Sequence, residues 1–253
     1  MAKQNPIASS FWSTHRPARS DRPSLDRDRI VAAAIEMLDE DGIDKLSMRR
    51  LGSRLGSGAT SAYWHVKNKD ELLDLVLDAT MGQVPLPTDK DWMAALRNYA
   101  ADLRRVVLSH PWLINVFGSR ANLGPNALRL SNHLLGVLYA AGLSTAMATQ
   151  ASSAVGAFVL GATMTEAAWV DLKNRSGMTE QQMEAAMTEF YADQLPGAPH
   201  LQQWWAENDA SFDDLRRRNF EIGLDALMQG LSLMVSAGGD GRPRHRRTPT
   251  GQG

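Results

Sequence analysis

The chain has 253 residues, a formal net charge of −1 and no cysteine. Its length allows one or two domains with a sizeable core, and 43% apolar with 22% charged residues is typical of a globular protein rather than a disordered chain. The lack of cysteine excludes disulfides, thiol catalysis and thiolate metal sites, and the lack of an apolar N-terminal run favours a cytoplasmic protein.

Both ends of the chain are rich in arginine together with proline, serine or glycine, and neither shows a hydrophobic period. We predict a disordered basic arm over residues 1–23 and a disordered basic tail over residues 238–253. Two roles are open for each of them: an inert tail, or an arm that lies along DNA phosphates or in a minor groove.

Helical periods begin just after the N-terminal arm. A first helix starts near Ser24, carries Ile30 and Leu38 on one apolar stripe and ends at Gly42. Ser47 then has the residue type and position of an N-cap, so a short second helix follows it.

A glycine-rich turn and a third short helix come next. The turn is GSGA, and the helix over residues 59–66 has small residues at its start and few large aliphatic ones. Asn68 is placed to cap a fourth helix, with Glu71 at the capping-box position. Two prolines in the stretch VPLPTD, residues 84–89, then break the chain. We therefore predict an N-terminal domain over residues 24–84 and a second domain over residues 85–237.

The second domain also has helical periods throughout. The weakly polar run over residues 146–170 is interrupted by polar side chains, so we expect a buried helix there rather than a membrane span. No run alternates with a period of two, and no repeat is present. The fold class is therefore all-α.

A window of one charge sign surrounds the short helices. Between residues 45 and 69 no Asp or Glu occurs, whereas acidic residues crowd both flanks. The cations of the window are Lys45, Arg49, Arg50, Arg54, Lys67 and Lys69. Two short helices joined by a glycine turn indicate a helix-turn-helix, whose second helix lies in the major groove of DNA.

The residue types in this motif suit contacts with DNA. Tyr63 and His65 have polar tips for phosphates or base edges, and Lys67 and Lys69 are placed for phosphate contacts. Lys69 also begins a helix, whose first N–H groups favour an anion. Arg49, early in the preceding helix, can reach a guanine edge with two hydrogen bonds. Core packing and a solvated basic patch are the alternatives for any one of them.

Residues 24–78 resemble the N-terminal DNA-binding domain of the TetR family of transcriptional repressors. The family signature LYWHVKNK appears here as AYWHVKNK, residues 62–69. The resemblance implies DNA contacts at Ser47, Met48, Arg49, Ala59, Thr60, Ser61, Tyr63, His65 and Lys69. Where the tetracycline-repressor subgroup has Gln-Pro-Thr, this chain has Ala-Thr-Ser at residues 59–61. The loss of glutamine removes an adenine reader, so the operator should differ.

The second domain resembles the ligand-binding and dimerisation domain of the tetracycline-repressor subgroup. The matching segments are LRNYAADLRRVVLSHP, SSAVGAFVLGATMTE and NFEIGLDALMQGL. The resemblance implies that a four-helix bundle joins two subunits. The candidate dimerisation residues are Ala151, Ser152, Gly156, Phe220, Leu224, Leu227 and Leu231. The alternative for all of them is an ordinary core within one chain.

The ligand site of the subgroup holds a metal-bound drug, and this chain departs from that pattern. Phe117 stands about where the family has a metal-binding histidine, and Glu166 lies one place from the expected acid. We therefore predict no metal and no cofactor. Candidate pocket residues are Asn98, Leu103, Trp112, Phe117, Arg120, Met164 and Trp169. Their rings and methionine suit a flat or apolar ligand, although core packing is the alternative for each.

The function predicted from the sequence is that of a ligand-responsive transcriptional regulator, a repressor that binds a palindromic operator as a homodimer. An enzyme is a poor alternative, because the chain has no nucleophile elbow, zinc-binding helix motif or phosphate loop after a strand. A helical module that grips DNA or another protein without responding to a ligand is the remaining alternative.

Overall fold

The computed structural model describes residues 27–56, 65–194, 197–207 and 211–238, which form ten α-helices and no strand. The helices are α1 Arg27–Asp41, α2 Met48–Arg54, α3 Lys69–Met81, α4 Trp92–Ser109, α5 Leu113–Phe117, α6 Pro125–Ala140, α7 Thr145–Ser176, α8 Glu180–Gln194, α9 Pro199–Glu207 and α10 Phe212–Gly238. A 3-10 turn over Ile43–Lys45 precedes α2. The predicted all-α class is confirmed.

Parts of the sequence prediction lie outside the described residues. These parts are the arm over residues 1–23, almost all of the tail, and residues 59–64 of the third short helix. The last two residues of that helix are described and are not helical, and Val66 is completely buried in the hydrophobic core.

Helix α1 forms the base of the N-terminal domain. Its stripe of Ile30, Ala34 and Leu38 is buried at 0–1% exposure, and α1 packs against both α2 and α3. The helix ends at Gly42, which has a φ of 77° and donates its N–H to the carbonyl oxygen of Leu38 at 2.9 Å. A positive φ is costly for residues with a Cβ, so glycine fits this end.

The two predicted N-caps form. Ser47 Oγ accepts the N–H of Arg50 at 3.3 Å, and Asn68 Oδ1 accepts the N–H of Glu71 at 2.8 Å. The carboxylate of Glu71 differs from the expected capping box, because it accepts the N–H of Lys67 at 3.1 Å rather than that of Asn68. Glu71 is buried and reaches one residue further back, which closes the turn into α3.

Helix α7 is the centre of the C-terminal domain. Helices α4, α6 and α10 all pack on it. By length and composition α7 could cross a membrane, yet its residues Ala151, Val155 and Val159 are buried at 0–1% exposure within the helical domain. One face of α7 is therefore packed in the core, whereas the sequence predicted a buried helix and other residues of α7 are exposed in the single chain. On the α10 side, Phe158 and Phe220 stack with ring centroids 5.6 Å apart.

Helix α3 joins the two domains. It packs on α1 in the N-terminal domain and on α5 and α6 in the C-terminal domain. Leu72, Val76 and Leu77 are almost completely buried, so α3 has little freedom to move without displacing both neighbours. The chain then leaves α3 through the proline-containing stretch that the sequence marks as a break.

Candidate DNA-binding surface and ligand cavity

The structure divides the six cations of the basic window into two groups. Four are held within the N-terminal domain: Lys45 and Arg50 by Asp41, Arg54 by Glu36 and Glu40, and Lys69 by the carbonyl oxygen of Ile43. The other two, Arg49 and Lys67, have exposed side chains with no hydrogen-bond or ion-pair partner among the described residues. A free cation on the surface is available to a phosphate or a base edge.

The side chains of Arg50 and Arg54 are held in place by carboxylates of α1. A hydrogen bond from Arg54 lowers the pKa of Glu40, and one from Arg50 lowers the pKa of Asp41. Both carboxylates therefore stay charged at neutral pH. These pairs are exposed to solvent, so they orient the arginines more than they stabilise the domain.

The three candidate residues at the start of α2 have different surroundings. Ser47 is half-buried and its hydroxyl oxygen is used as the cap. Met48 is 7% exposed and belongs to the hydrophobic core, so its side chain supports α2 from below instead of facing outward. Arg49 is exposed in the first turn, the part of α2 that faces away from that core.

The remaining DNA candidates lie around the turn into α3. Four of them, Ala59, Thr60, Ser61 and Tyr63, lie outside the described residues. His65 is half-buried, Lys67 is exposed, and Lys69 donates to the carbonyl oxygen of Ile43 at 3.0 Å. That bond uses one of the three donors of an ammonium group, and it fixes the start of α3 against the 3-10 turn.

A cavity of about 120 Å³ lies between α3 and the helices α4, α5, α6 and α7 of the C-terminal domain. Its described lining is Met81, Tyr99, Leu103, Phe117, Asn122, Ala127, Leu130, Ser131, Leu134 and Leu160. Leu103 and Phe117 were among the seven pocket residues that the sequence suggested. The other five are located elsewhere.

Three of those five face away from the cavity. Asn98 is exposed and its amide donates to Asp89 at 2.7 Å, while its neighbour Tyr99 lines the cavity. One residue turns the direction of a side chain by about 100° around a helix, so Asn98 and Tyr99 point to different sides of α4. Met164 is 38% exposed, and Trp169 packs on Phe212 at 5.8 Å between ring centroids.

The last two, Trp112 and Arg120, are bound to the N-terminal domain. The indole Nε1–H of Trp112 donates to Asp39 Oδ1 at 2.7 Å. Arg120 is held by Asp70 and Asp74 at the start of α3. Each of the two side chains therefore joins the C-terminal domain to a carboxylate of the N-terminal domain.

Two further contacts at this junction were not foreseen. The imidazole of His110 lies between Asp39 and Gln83, with Nδ1 2.7 Å from Asp39 Oδ1 and Nε2 3.1 Å from Gln83 Oε1. Asp78 of α3 accepts the N–H groups of Asn126 and Ala127 at 2.9 and 3.1 Å. Nothing in the local sequence signals either contact.

Asp78 acts as the cap of another helix. It is 4% exposed and sits at the first turn of α6, where unpaired N–H groups favour a carboxylate. Burial raises the pKa of Asp78, and the hydrogen bonds from Ala127 and Asn126 oppose that rise. The close approach requires Gly124, because a Cβ there would lie 2.2 Å from the Asp78 side chain.

Residues 110–127, which we call the anchored segment, combine two roles. Three of them, Phe117, Asn122 and Ala127, line the cavity. The same segment is bound at its start to Asp39, in its middle to Asp70 and Asp74, and at its end to Asp78. The segment that forms part of the cavity wall is therefore in direct contact with α1 and α3.

Glu166, the acid near the position expected for a metal ligand, is already bound by an arginine. Both oxygens of Glu166 accept hydrogen bonds from Arg104, at 2.9 and 2.6 Å, and the guanidinium lies 4.9 Å from the ring centroid of Phe220. Both partners are only partly exposed, and an arginine that uses two donors on one carboxylate is well fixed. In the described part of the chain no three metal-ligating side chains come together.

The candidate dimerisation residues belong mainly to the interior of the subunit. Ala151, Phe220, Leu224 and Leu231 are 1–7% exposed in the single chain, and Ser152, Gly156 and Leu227 are half-buried. The intrachain alternative therefore applies to the four buried residues, because α7 and α10 cover each other with this face.

Comparison with known proteins gives two family matches. Residues 30–76 match bacterial regulatory proteins of the tetR family, and residues 84–235 match the tetracyclin repressor-like C-terminal domain. The two matches follow one another along the chain in the order of the two domains described above. The second of them alone spans more than half of the chain.

Individual relatives agree. An HTH-type transcriptional regulator of Saccharopolyspora erythraea is 44% identical over 158 residues, which is 61% of this chain and 67% of the relative. The HTH-type transcriptional repressor DrrR1 of Streptomyces coeruleorubidus is 31% identical over 230 residues, 89% of this chain and 84% of its own. The crystal structure of the TetR family protein ActR of Streptomyces coelicolor in complex with actinorhodin superposes with a TM-score of 0.65 and 31% identity, covering 83% of this chain and 96% of ActR. This chain belongs to the TetR family of bacterial regulatory proteins, and its function is that of a ligand-responsive, DNA-binding transcriptional regulator.

Proposed function

We propose that this protein is a cytoplasmic, homodimeric repressor that acts by binding, without catalysis. Residues 24–84 hold a palindromic operator, and residues 85–237 bind a small apolar or aromatic ligand that releases the DNA. The relatives support the direction of control, since DrrR1 is named a repressor and ActR is crystallised with actinorhodin.

The observation that carries the proposal is the anchored segment. It forms part of the cavity wall and is bound to the N-terminal domain at both ends and in its middle. The cavity of about 120 Å³ is smaller than the sites of drug-sized ligands, which are roughly 300–1,000 Å³. A ligand of that size has to push the wall outward, and the wall carries α1 and α3 with it.

Displacement of the N-terminal domains changes the distance between the two DNA-reading helices of a dimer. Half-sites of a palindrome are about 34 Å apart for each turn of DNA. A dimer with altered spacing can therefore place only one of its two DNA-reading helices in a major groove. The ligand binds better to the altered conformer and thereby lowers the affinity for DNA. A coupling free energy of about 1–3 kcal/mol is typical of such switches.

DNA contacts are proposed on three parts of the N-terminal domain. Arg49 on α2 reads a guanine edge, the third short helix that the sequence predicts from residue 59 enters the major groove, and Lys67 binds a phosphate. The exposure of Arg49 and Lys67, and the lack of any described partner for either, support these two roles. Arg50 and Arg54 are occupied by carboxylates of α1, so they are not proposed as contacts.

The dimer interface is proposed on the outer faces of α7 and α10. The outer stripe of α7, exposed in the subunit, is Ser153, Ala157, Gly161, Met164 and Ala168. The corresponding stripe of α10 is Ile222, Ala226, Gly230 and Leu233. Ile222 and Leu233 are 67% and 73% exposed in the single chain. Exposed apolar residues at helical spacing mark an interaction surface, and the small residues let two helices approach closely.

The experiment is selection of bound duplexes from random and genomic DNA at near-physiological salt. Recovery of one palindrome supports a sequence-reading dimer. Sedimentation of Leu233→Glu should show monomers, whereas Leu128→Glu, at an exposed apolar residue of α6 outside the stripes, should remain dimeric. Binding with steep salt dependence and no preferred sequence would instead identify an architectural DNA-binding module, and a dimeric Leu233→Glu would refute the interface.

A further inference from the structure

The described lining of the cavity carries no charged side chain. Seven of its described lining residues are apolar, and the three polar ones, Tyr99, Asn122 and Ser131, are neutral. An anion or a metal-bound ligand that left water for such a site would lose its hydration without gaining a counter-charge. Charged ligands are therefore disfavoured by the lining itself.

Glu166, the acid of α7 that follows the lining residues in sequence, is already paired. Glu166 follows the lining residue Leu160 along α7 and is bound by both donors of Arg104. Arg104 in turn lies against the ring of Phe220. Either group would have to break this ion pair, in partly buried surroundings, before it could bind a ligand or a metal.

Asn122 presents an unmet hydrogen-bonding requirement. It lines the cavity from the anchored segment, and its Oδ1 is buried with no hydrogen-bond partner among the described residues. A buried acceptor without a donor is unfavourable, and a ligand that supplies the donor removes that penalty. On the neighbouring helix α4, the hydroxyl of Tyr99 likewise has no hydrogen-bond partner in the described part of the chain.

Tyr99 is suited to donate. Burial raises the pKa of Tyr99 to about 12, so its hydroxyl keeps its proton at neutral pH. The tyrosine therefore donates to a ligand oxygen, and Asn122 accepts from a ligand O–H. The rest of the lining, including the ring of Phe117, is apolar and matches an aromatic body.

We propose that the cavity selects an uncharged, hydroxyl-bearing aromatic ligand and binds it without a metal ion, with the ligand hydroxyl donating to Asn122 Oδ1 and a ligand oxygen accepting from Tyr99. This rests on the proposed function only in placing the ligand in this cavity. The cavity of about 120 Å³ corresponds to roughly four water molecules, so small aromatic probes suit a first test.

The test uses three two-ring probes: 2-naphthol, 2-methoxynaphthalene, which lacks the O–H donor, and 2-naphthoate, which is an anion. Binding to the full-length protein is measured by calorimetry without DNA, first with EDTA and then with Mg²⁺. We expect 2-naphthol to bind about tenfold or more tightly than the other two, with equal affinity in EDTA and Mg²⁺. Tighter binding of 2-naphthoate, a need for Mg²⁺, or no binding of 2-naphthol overturns the proposal.

Variants assign the selectivity to Asn122. Asn122→Leu keeps a similar volume but removes the acceptor, so the preference for 2-naphthol over 2-methoxynaphthalene should fall to about twofold or less. Asn115→Leu, at an exposed position on α5 outside the cavity, should keep the wild-type preference. An unchanged preference in Asn122→Leu contradicts the proposal. These binding measurements contain no DNA, so a negative result in them does not change the outcome of the operator selection. In the same way, a failed operator selection does not change how the ligand-binding results are interpreted.

Discussion

Replacing Asp39 with alanine should weaken the contact between the two domains. Asp39 Oδ1 lies 2.7 Å from both Trp112 Nε1 and His110 Nδ1. The two rings are 5% and 8% exposed, so they cannot turn to solvent without unpacking. The variant therefore leaves two buried polar groups without their shared partner, on the segment that forms the cavity wall.

The magnitude follows from those two groups. A buried polar group that loses its partner costs about 1–3 kcal/mol. The side chain of Asp39 is 34% exposed, so water can reach part of the vacated space. We therefore take the lower part of the range, about 1–2 kcal/mol for each ring. The free energy of unfolding should fall by roughly 2–4 kcal/mol.

Urea unfolding of wild type and variants at one protein concentration measures the effect, because the stability of an oligomer depends on concentration. Asp39→Asn keeps an oxygen acceptor. Its free energy of unfolding should therefore lie closer to that of wild type than to that of Asp39→Ala. Asp28→Ala is the matched control on the same helix, since Asp28 is exposed and has no partner among the described residues. Its effect should stay within about 0.5 kcal/mol.

Two results would refute the reasoning. If Asp39→Ala is as stable as wild type to within about 0.5 kcal/mol, the two hydrogen bonds do not hold the domains together. If Asp39→Asn is as damaging as Asp39→Ala, the loss comes from the charge of the carboxylate and not from its role as an acceptor.

Three further predictions concern other parts of the molecule. Arg49→Ala should reduce discrimination at one base pair of the operator by about 1–3 kcal/mol, whereas Arg50→Ala should keep the preferred sequence; competition with single-base operator variants measures both, and equal effects would contradict the assignment. Because burial raises the pKa of Asp78 in the folded state, the native protein binds its proton more tightly than the unfolded chain, and the stability contributed by this group is lost as pH rises through the folded pKa. Asp78→Asn should remove that dependence in urea titrations across the acidic range, and parallel curves for the two proteins would refute it. Gly223→Ala should cost about 1–3 kcal/mol by overpacking, since its Cβ would lie 2.7 Å from a phenyl ring of α7, while Gly136→Ala, with nothing within 4 Å, should cost nothing in the same unfolding assay.

Local patterns in the sequence were sufficient for the end of α1 and the starts of α2 and α3. Ser47 and Asn68 cap α2 and α3 as expected, and Gly42 ends α1 with a positive φ. These features depend on hydrogen bonds between residues at most four positions apart, so the sequence contains all the information they need. The family signature at residues 62–69 likewise lies in one short stretch, and it led to the correct family.

The cavity was less accessible to sequence reasoning. Leu103 and Phe117 line it, whereas on α4 the cavity is also lined by Tyr99 and not by its neighbour Asn98, which is exposed. Asn122 lies in a stretch without helical period, between α5 and α6, and no local pattern distinguishes a cavity residue there. The sequence therefore indicates which segments contribute to the cavity, but not which side chain of a segment faces it.

The sequence by itself determined the helical class, the order of the two domains, the caps and the family, because these depend on short-range spacing and on a contiguous motif. The tertiary structure decided which arginines are free, where Trp112 and Arg120 bind, and which face of α10 is covered by its own chain. The contacts concerned join residues far apart, such as Trp112 with Asp39, 73 positions away. An apolar stripe indicates that a helix face is buried. Only the packed structure shows whether that face is buried by the same chain or remains exposed for contact with a second chain.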